Sequence, residues 1–592
     1  MLSLTASVIA VAVLVALSIG SGRPGRPGIG FDARIAWLGL AAIELSVAIV
    51  ANSTIGPPMV LSDEFTYAQG ALELSGWWQA GRAVFQVHDL PNRLFLAVYS
   101  VAGTSQDPYA TARALNVVAL GLGLLGLLVA SRELDNLAKG AIVGVAYSLG
   151  PLSTYGAYFM PDALFAGVFI CVCVALATAL AKGGYRAAVM AGAGCASLTF
   201  IKPHGWAVAA VAFLYSFAFA WRAPVDRVRS ARRVAGVVAI AFVAAWVTLN
   251  AVLPNAANRG SFFGAIYGGV WSGLWRTVAS VGDYPRIIGL LAVHLVVIGS
   301  IMTPVLVGAT RAAMRPFGAG VDDRRLLADT MAGISLAQLL ALIAMTSVFT
   351  VAIAGQGPGE VANRLHSRYF GFAIPLLVMA AMSSEVCEQF VRKHRRSILA
   401  LWVAACALAF VLLPRFTWSF ADSPELFFGW SMPGNLYAAF GAVGVVASIL
   451  LWRSAWGLVS ATVAAYLLSA LVSGSAVRYV QDSHPVLPEQ RAGEFASAMA
   501  NEDQRWILLA GESPTVSLYR IAAYLPLRSR FVTREDLARR VEPQVAAGSI
   551  VAGESSYLEG VPLAFKRSFG TFTVGVLEGK GAAAGQAAGT SR

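Results

Sequence analysis

About fourteen apolar runs, most of them long enough to cross a hydrocarbon core as a helix, follow one another along this 592-residue chain. A crossing takes roughly 17–25 apolar residues in helical form, because lipid offers backbone groups no hydrogen-bond partner. The runs are 2–20, 35–52, 110–130, 140–157, 162–181, 186–201, 204–221, 234–252, 287–310, 327–353, 369–384, 397–413, 434–451 and 456–474. Those at 186–201 and 204–221 meet at Pro203 and read either as two spans or as one broken helix. Only 13% of the residues are charged, against about 25% in soluble proteins. That is too little to clothe a water-facing surface. The expected fold is an all-α polytopic membrane bundle.

Charge placement sets an expected orientation. The run 2–20 has no basic residue before it and Arg23 and Arg26 after it, the reverse of a secretory signal peptide. With the first terminus outside and the spans alternating, every inside loop is basic. These loops hold Arg132 and Lys139, Lys182 and Arg186, five arginines between Arg222 and Arg233, and the Arg392-Lys393-His394-Arg395-Arg396 stretch. The net charge of +12 is thus spread between apolar runs and excludes a nucleic-acid footprint. Cys171, Cys173, Cys195, Cys387 and Cys406 lie in or beside apolar runs, with no disulfide framework or zinc spacing. The abundance of Ala, Gly, Val and Arg suggests a bacterial source.

Residues 1–476 form the expected membrane domain. Its first large outer loop, 53–109, carries Trp77, Trp78 and Phe85 among charged residues and reads as interfacial helices. The segments 253–286, 355–368 and 414–433 also fall outside, and 262–281 has an interfacial composition. Residues 478–578 read as a small extracytoplasmic α/β domain. Strands are expected at 506–510, 550–552 and 571–576, and helices at 514–524 and 534–540, the last capped by Thr533. The Ala/Gly-rich 579–592 reads as a disordered tail.

Four polar features gather on the expected outer side. Ser62-Asp63-Glu64-Phe65-Thr66-Tyr67 either caps a helix or supplies a general base. Tyr158-Phe159-Met160-Pro161-Asp162 either starts a helix or lines a site. Lys202-Pro203-His204 is either a snorkelling lysine at a helix end or an ionisable site at the membrane. His366-Ser367-Arg368-Tyr369 is either an aromatic belt with a headgroup-binding arginine or a cationic clamp for phosphate. Carboxylates in some segments and cations in others suit a substrate with a phosphate leaving group and an acceptor hydroxyl.

These motifs resemble those of the C-type (GT-C) integral-membrane glycosyltransferases, and most nearly the protein O-mannosyltransferase and lipid A aminoarabinose transferase branch. The matching stretches are Asp63-Glu64-x-x-Tyr67-Ala68, Met160-Pro161-Asp162-Ala163-Leu164-Phe165, Leu198-Thr199-Phe200-Ile201-Lys202-Pro203, and Arg368-Tyr369 followed by Pro375. The resemblance spans about residues 35–385. It implies a GT-C-like bundle and inverting transfer of a sugar from a polyprenyl-phosphate donor to an extracytoplasmic glycan, lipid or protein. It gives Asp63 the base role, with Glu64 beside it. Lys202, His204, Arg368 and His366 would meet the donor phosphate. Tyr67, Arg82, His88, Arg93, Asp162 and Tyr369 would line the substrate. No cofactor is implied, and a divalent metal at the outer face stays open. The implied setting is a bacterial plasma membrane. Three features depart from the family pattern: an extra span precedes the one that opens the fold, the family's basic pair near the first loop has only Arg82, His88 and Arg93 as candidates, and Phe370-Gly371 follows Arg368-Tyr369.

Three other classes compete: a non-catalytic scaffold with the outer domain as a binding module, and two classes that fit a charged membrane site. A transporter or flippase of lipid-linked substrates places ionisable groups near the midplane on broken helices, often in repeated halves, and no repeat is apparent here. A surface-polysaccharide polymerase or ligase uses the same class of donor and the same outer-face cations.

Overall fold

The computed structural model describes residues 92–105, 108–222, 225–253, 264–315, 322–355, 361–417, 422–423, 487–503, 507–511, 529–539 and 548–578. It also describes Glu64, Tyr67, Ala68, Gly70, Ala71, Leu74, Tyr466, Leu518 and Ile521.

Among the described residues the membrane part is mostly helical. Its elements are α1 (Arg93–Tyr99), α2 (Pro108–Glu133), α3 (Leu137–Leu149), α4 (Asp162–Lys182), α5 (Tyr185–Ile201), α6 (Gly205–Arg222), α7 (Val225–Val252), α8 (Gly264–Ala279), α9 (Tyr284–Met314), α10 (Asp323–Ile353), α11 (Ile374–Ser383), α12 (Glu385–Lys393) and α13 (Arg395–Leu412). Six described helices are long and apolar enough to cross a membrane, or seven if α11 and α12, bent by 78°, make one broken span. The chain is a multi-pass membrane protein.

The expected count of fourteen spans is not reproduced among the described residues. The runs 2–20, 35–52, 434–451 and 456–474 lie outside them. The run 140–157 divides, because Gly150-Pro151 ends α3 and Pro151–Ala157 continues as a 3-10 turn. The runs on either side of Pro203 become α5 and α6, two separate shorter helices.

Apolar side chains fill the centre of the bundle. Phe372 meets Phe165 and Phe169 edge-on at 5.0 and 4.8 Å, joining the segment before α11 to α4. Helices α2 and α4 approach closely at Gly167, where a Cβ would lie 2.0 Å from the Ala119 carbonyl oxygen. Small residues at such crossings let backbones meet without a hydrophobic drive between helices. Helix α9 kinks at Met302, two residues before Pro304.

The bundle has two chemically different ends. At one, Lys182 pairs with Glu133, Arg324 with Asp135 at 2.7 Å, and Arg325 with Glu385 at 3.2 Å. These residues lie on loops expected inside. At the other, Lys202 pairs with Asp162 and Arg364 with Asp422. Helix α4 runs between them, from Asp162 to Lys182, a rise of about 32 Å.

The C-terminal part is α/β. Helix α14 (Pro488–Asp503) precedes a five-stranded sheet of β1 (Ile507–Ala510), β2 (Ser529–Val532), β3 (Ile550–Glu554), β4 (Leu563–Phe569) and β5 (Phe572–Leu577) in the order β2-β1-β3-β5-β4. The first three strands are mutually parallel, and β4 and β5 form an antiparallel hairpin beside β3. Helix α15 (Arg534–Arg539) starts where expected, with the Thr533 hydroxyl accepting from the Asp536 N–H at 3.2 Å. Strands β2 and β4 and helix α14 have no counterpart in the sequence reading. The expected helix 514–524 is described only at Leu518 and Ile521, both helical, and the tail 579–592 lies outside the described residues.

Candidate functional site

Four chain segments meet at the end of the bundle that holds Asp162. The first is the turn Tyr158–Pro161, where α4 begins. Buried side chains of α2 hold it. Asn116 Nδ2 donates to the Tyr158 carbonyl at 2.6 Å, and Arg113 Nε donates to the Ala157 carbonyl at 3.0 Å. Tyr99 in turn donates to Asn116 Oδ1 at 2.5 Å. The N–H of Phe159 donates to Glu64 Oε1 at 2.7 Å. This bond ties the helix that bears Glu64 to the turn, and Glu64 is buried. Tyr67 belongs to the same layer, packed edge-on against Phe95 at 5.5 Å.

The second segment is the break between α5 and α6. Pro203 cannot continue the α5 hydrogen-bond ladder. Gly205 lets the chain fold back tightly, since a Cβ there would lie 2.2 Å from the Leu198 carbonyl carbon. Asn92 fixes the end of α5 by donating to the Ile201 carbonyl at 2.7 Å. Lys202 therefore points into the protein, with Nζ 2.5 Å from Asp162 Oδ1 and both side chains almost wholly buried. It does not snorkel.

The third segment, His366–Tyr369, follows α10. Its centre is the Tyr369 ring, which several groups share. Lys202 Nζ lies 4.5 Å and the Arg368 guanidinium 4.8 Å from its centroid. The rings of His204 and His366 lie 4.3 and 5.6 Å away. Phe349 of α10 closes one side edge-on at 5.6 Å. Arg368 also donates to the Tyr369 hydroxyl at 2.8 Å. Two cations withdrawn from water thus share one ring, each with a carboxylate beside it, Asp162 for Lys202 and Asp422 for Arg368.

The fourth segment, Asp422-Ser423, was not marked by the sequence reading. Arg364 grips the Asp422 carboxylate through Nε at 3.1 Å and a second nitrogen. The Arg368 Nε lies 3.6 Å from its other oxygen. The Arg368 N–H donates to the Asp422 carbonyl at 2.9 Å. Ser423 Oγ accepts from the Ser367 N–H at 3.0 Å and donates to the Leu365 carbonyl at 2.7 Å. Main chain and side chains alike thus pin the segment carrying Arg368.

His366 hydrogen-bonds Thr350 through Nδ1 at 3.0 Å. Burial pushes its pKa down to about 3, and Arg368, Arg364 and His294 add to the shift while Asp422 opposes it. His366 is therefore a neutral imidazole at ordinary pH, a hydrogen-bond partner rather than a counter-charge.

Asp162, Lys202, His204, His366, Arg368 and Tyr369 thus form one cluster, and Glu64 reaches it through the Phe159 turn. Arg93 faces α5 and α7 instead, over the Phe200 ring at 4.9 Å and bonded to Asn250 at 2.6 Å. Asp63, Arg82 and His88 lie outside the described residues. Among the described residues, no group of three or more His, Cys, Asp or Glu side chains is placed to hold a metal ion.

Neither a protein-family model nor a curated protein matches this sequence. Among solved structures, the chain is similar to ArnT from Cupriavidus metallidurans bound to undecaprenyl phosphate. Identity is 15%, the match covers 91% of this chain and 97% of that one, and the TM-score is 0.48. The apo state of ArnT gives 15% identity, coverage of 91% and 98%, and a TM-score of 0.43. The Archaeoglobus fulgidus oligosaccharyltransferase in complex with Zn and sulfate gives 12% identity, coverage of 92% and 73%, and a TM-score of 0.29.

Proposed function

We propose that this protein is a C-type membrane glycosyltransferase that moves a hexosyl or pentosyl group from a polyprenyl-phosphate donor to an acceptor hydroxyl, with inversion. The observation that carries this reading is the buried pair of cations, Lys202 and Arg368, on one Tyr369 ring at the end of the bundle that also holds Glu64. A site for a lipid-borne anion needs these cations, and activation of a hydroxyl needs a carboxylate near them.

In this reading Arg368 and Lys202 stabilise the charge that grows on the leaving phosphate. Their ion pairs with Asp422 and Asp162 hold them in place beforehand, so little reorganisation accompanies the reaction. His204 and His366 supply neutral ring nitrogens beside them. Asp63 takes the proton from the acceptor hydroxyl as it attacks the anomeric carbon. Glu64 orients that loop through its bond to Phe159. The scheme needs no metal ion. It sets the site and the C-terminal domain on the outer face of a bacterial plasma membrane, where the acceptor is an envelope glycan, lipid or protein.

Proteoliposomes carrying the full chain and a radiolabelled polyprenyl-phosphate sugar test the proposal. Transfer to an envelope acceptor, abolished by Asp63→Asn in a folded protein, is the expected result. Movement of intact donor across the bilayer without transfer would identify a flippase. Transfer of whole oligosaccharides would identify a polymerase or ligase. Full activity in Asp63→Asn would remove the base assignment.

A further inference from the structure

The end of the bundle away from the candidate site carries a second built surface. Helix α12 turns 78° from α11 and so runs across that end. The turn is fixed from within. The Ser384 hydroxyl donates to Asp329 Oδ1 at 2.5 Å and caps α12 by accepting from the Cys387 N–H at 3.2 Å. Helix α12 is amphipathic. Cys387 and Val391 are buried, and Val391 joins Ile398 and Trp402 of α13 in one apolar cluster.

Across the α12–α13 junction stand Arg392 and Lys393 in the last turn of α12, His394 between the helices, and Arg395 and Arg396 in the first turn of α13, all exposed. The acids on α12 are Glu385, which pairs with Arg325, and Glu388. Just beyond the basic stretch, α13 turns Leu401, Val403 and Phe410 outward, each more than half exposed. Apolar side chains facing outward along a candidate span mark the depth of lipid chains. The basic residues therefore sit one to two turns above that depth, at the level of the headgroups.

We propose that Arg392, Lys393, Arg395 and Arg396 form a docking surface for anionic phospholipid headgroups of the leaflet at that end. Charge complementarity selects the partner. Four cations in five positions attract an anionic leaflet, and a guanidinium matches a phosphodiester with two donors. The buried capping of α12 and the Val391–Ile398–Trp402 cluster hold the surface in place beforehand, which lowers the ordering cost of binding. The inference is independent of the chemistry at the other end.

Thermal unfolding and native mass spectrometry of the full chain in neutral detergent test it, with phosphatidylglycerol and phosphatidylcholine as probes. Phosphatidylglycerol is expected to raise the unfolding temperature more than phosphatidylcholine and to remain bound at least tenfold longer. Arg392→Gln/Lys393→Gln/Arg395→Gln/Arg396→Gln is expected to abolish that difference. Because neutralising all four can disturb insertion, Arg395→Gln/Arg396→Gln serves as the second variant, and half the difference or less should survive in it. Equal effects of the two lipids, or an unchanged difference in either variant, would overturn the proposal. So would the same stabilisation by millimolar inorganic phosphate, which would make the patch a plain anion site.

Discussion

Lys202 Nζ lies 2.5 Å from Asp162 Oδ1, joining the end of α5 to the first residue of α4 inside the protein. Burying two charges is costly, and their attraction offsets that cost only while both are present. Lys202→Met or Asp162→Asn alone is therefore expected to destabilise the protein by about 3–5 kcal/mol. The double variant Asp162→Asn/Lys202→Met should cost less than the sum, because neither charge is then left without the other. Thermal unfolding of the three variants in detergent measures this. Additive losses would show that the two side chains act separately.

His366 gives the molecule a pH dependence with a fixed sign. In the unfolded chain its pKa is about 6.5, and in the folded protein burial holds it at about 3. Between these values the unfolded state carries the extra proton, so stability rises with pH across the window. It is lost as pH falls below about 6.5, by at most about 1.4 kcal/mol per pH unit from this one group. His366→Gln keeps a hydrogen-bonding group facing Thr350 and removes the titration. Its unfolding temperature should vary less between pH 6.5 and pH 4 than that of the parent protein. An identical pH slope would mean that other groups set it.

Tyr369 does two separable things. Its ring lies beside Lys202 and Arg368, and its hydroxyl accepts a hydrogen bond from Arg368. Tyr369→Phe keeps the first and loses the second. Tyr369→Leu loses both. Under the proposed chemistry, Tyr369→Phe should lower kcat/KM for the lipid-phosphate donor by about tenfold, the worth of one charge-assisted hydrogen bond. Tyr369→Leu should lower it further, because contact between a desolvated cation and a ring contributes on the order of 2 kcal/mol more. Equal rates for the two variants would show that the ring faces add nothing.

Sequence made some of this molecule legible and left other parts hidden, for physical reasons. Long uninterrupted apolar runs gave α2, α4, α9 and α10 because hydrocarbon leaves a spanning backbone few choices. The run 140–157 misled, since hydropathy does not register that Gly150-Pro151 ends a helix within it. Asp162, Lys202, His204 and Tyr369 could be singled out because polar residues interrupting apolar runs are costly. Their convergence in one cluster could not be seen, as it depends on how the helices pack. Asn116 lies within the α2 run and bonds to carbonyls about 40 positions away, so nothing local marks it. Asp422 sits in the loop segment 414–433, with Glu425 close by, where a carboxylate carries no signal of its own. In the C-terminal part, β4 went unrecognised because Lys566 and Arg567 interrupt its apolar pattern on an edge strand.

The two ends of the bundle make a prediction about sidedness. Asp135 stands at the end of α2, paired with Arg324 at the start of α10. Arg286 lies in the first turn of α9, which begins at the candidate-site end and closes at Arg311 near the basic loops. Both side chains are more than two-thirds exposed, at 69% and 68%, so a cysteine at either place should react readily. Helix α9 is 31 residues long, a path of about 46 Å along its kinked axis, against a hydrocarbon core of roughly 30 Å. Asp135→Cys and Arg286→Cys, each in a background with the five native cysteines replaced, should therefore react with a membrane-impermeant maleimide from opposite faces of intact cells. Arg286→Cys is expected to label from outside without permeabilisation, and Asp135→Cys only after it. Labelling of both from one face would place the Lys202–Asp162 pair and the Lys182–Glu133 pair on the same side, which no helix crossing between them allows, and the membrane-spanning reading of α4 and α9 would fail.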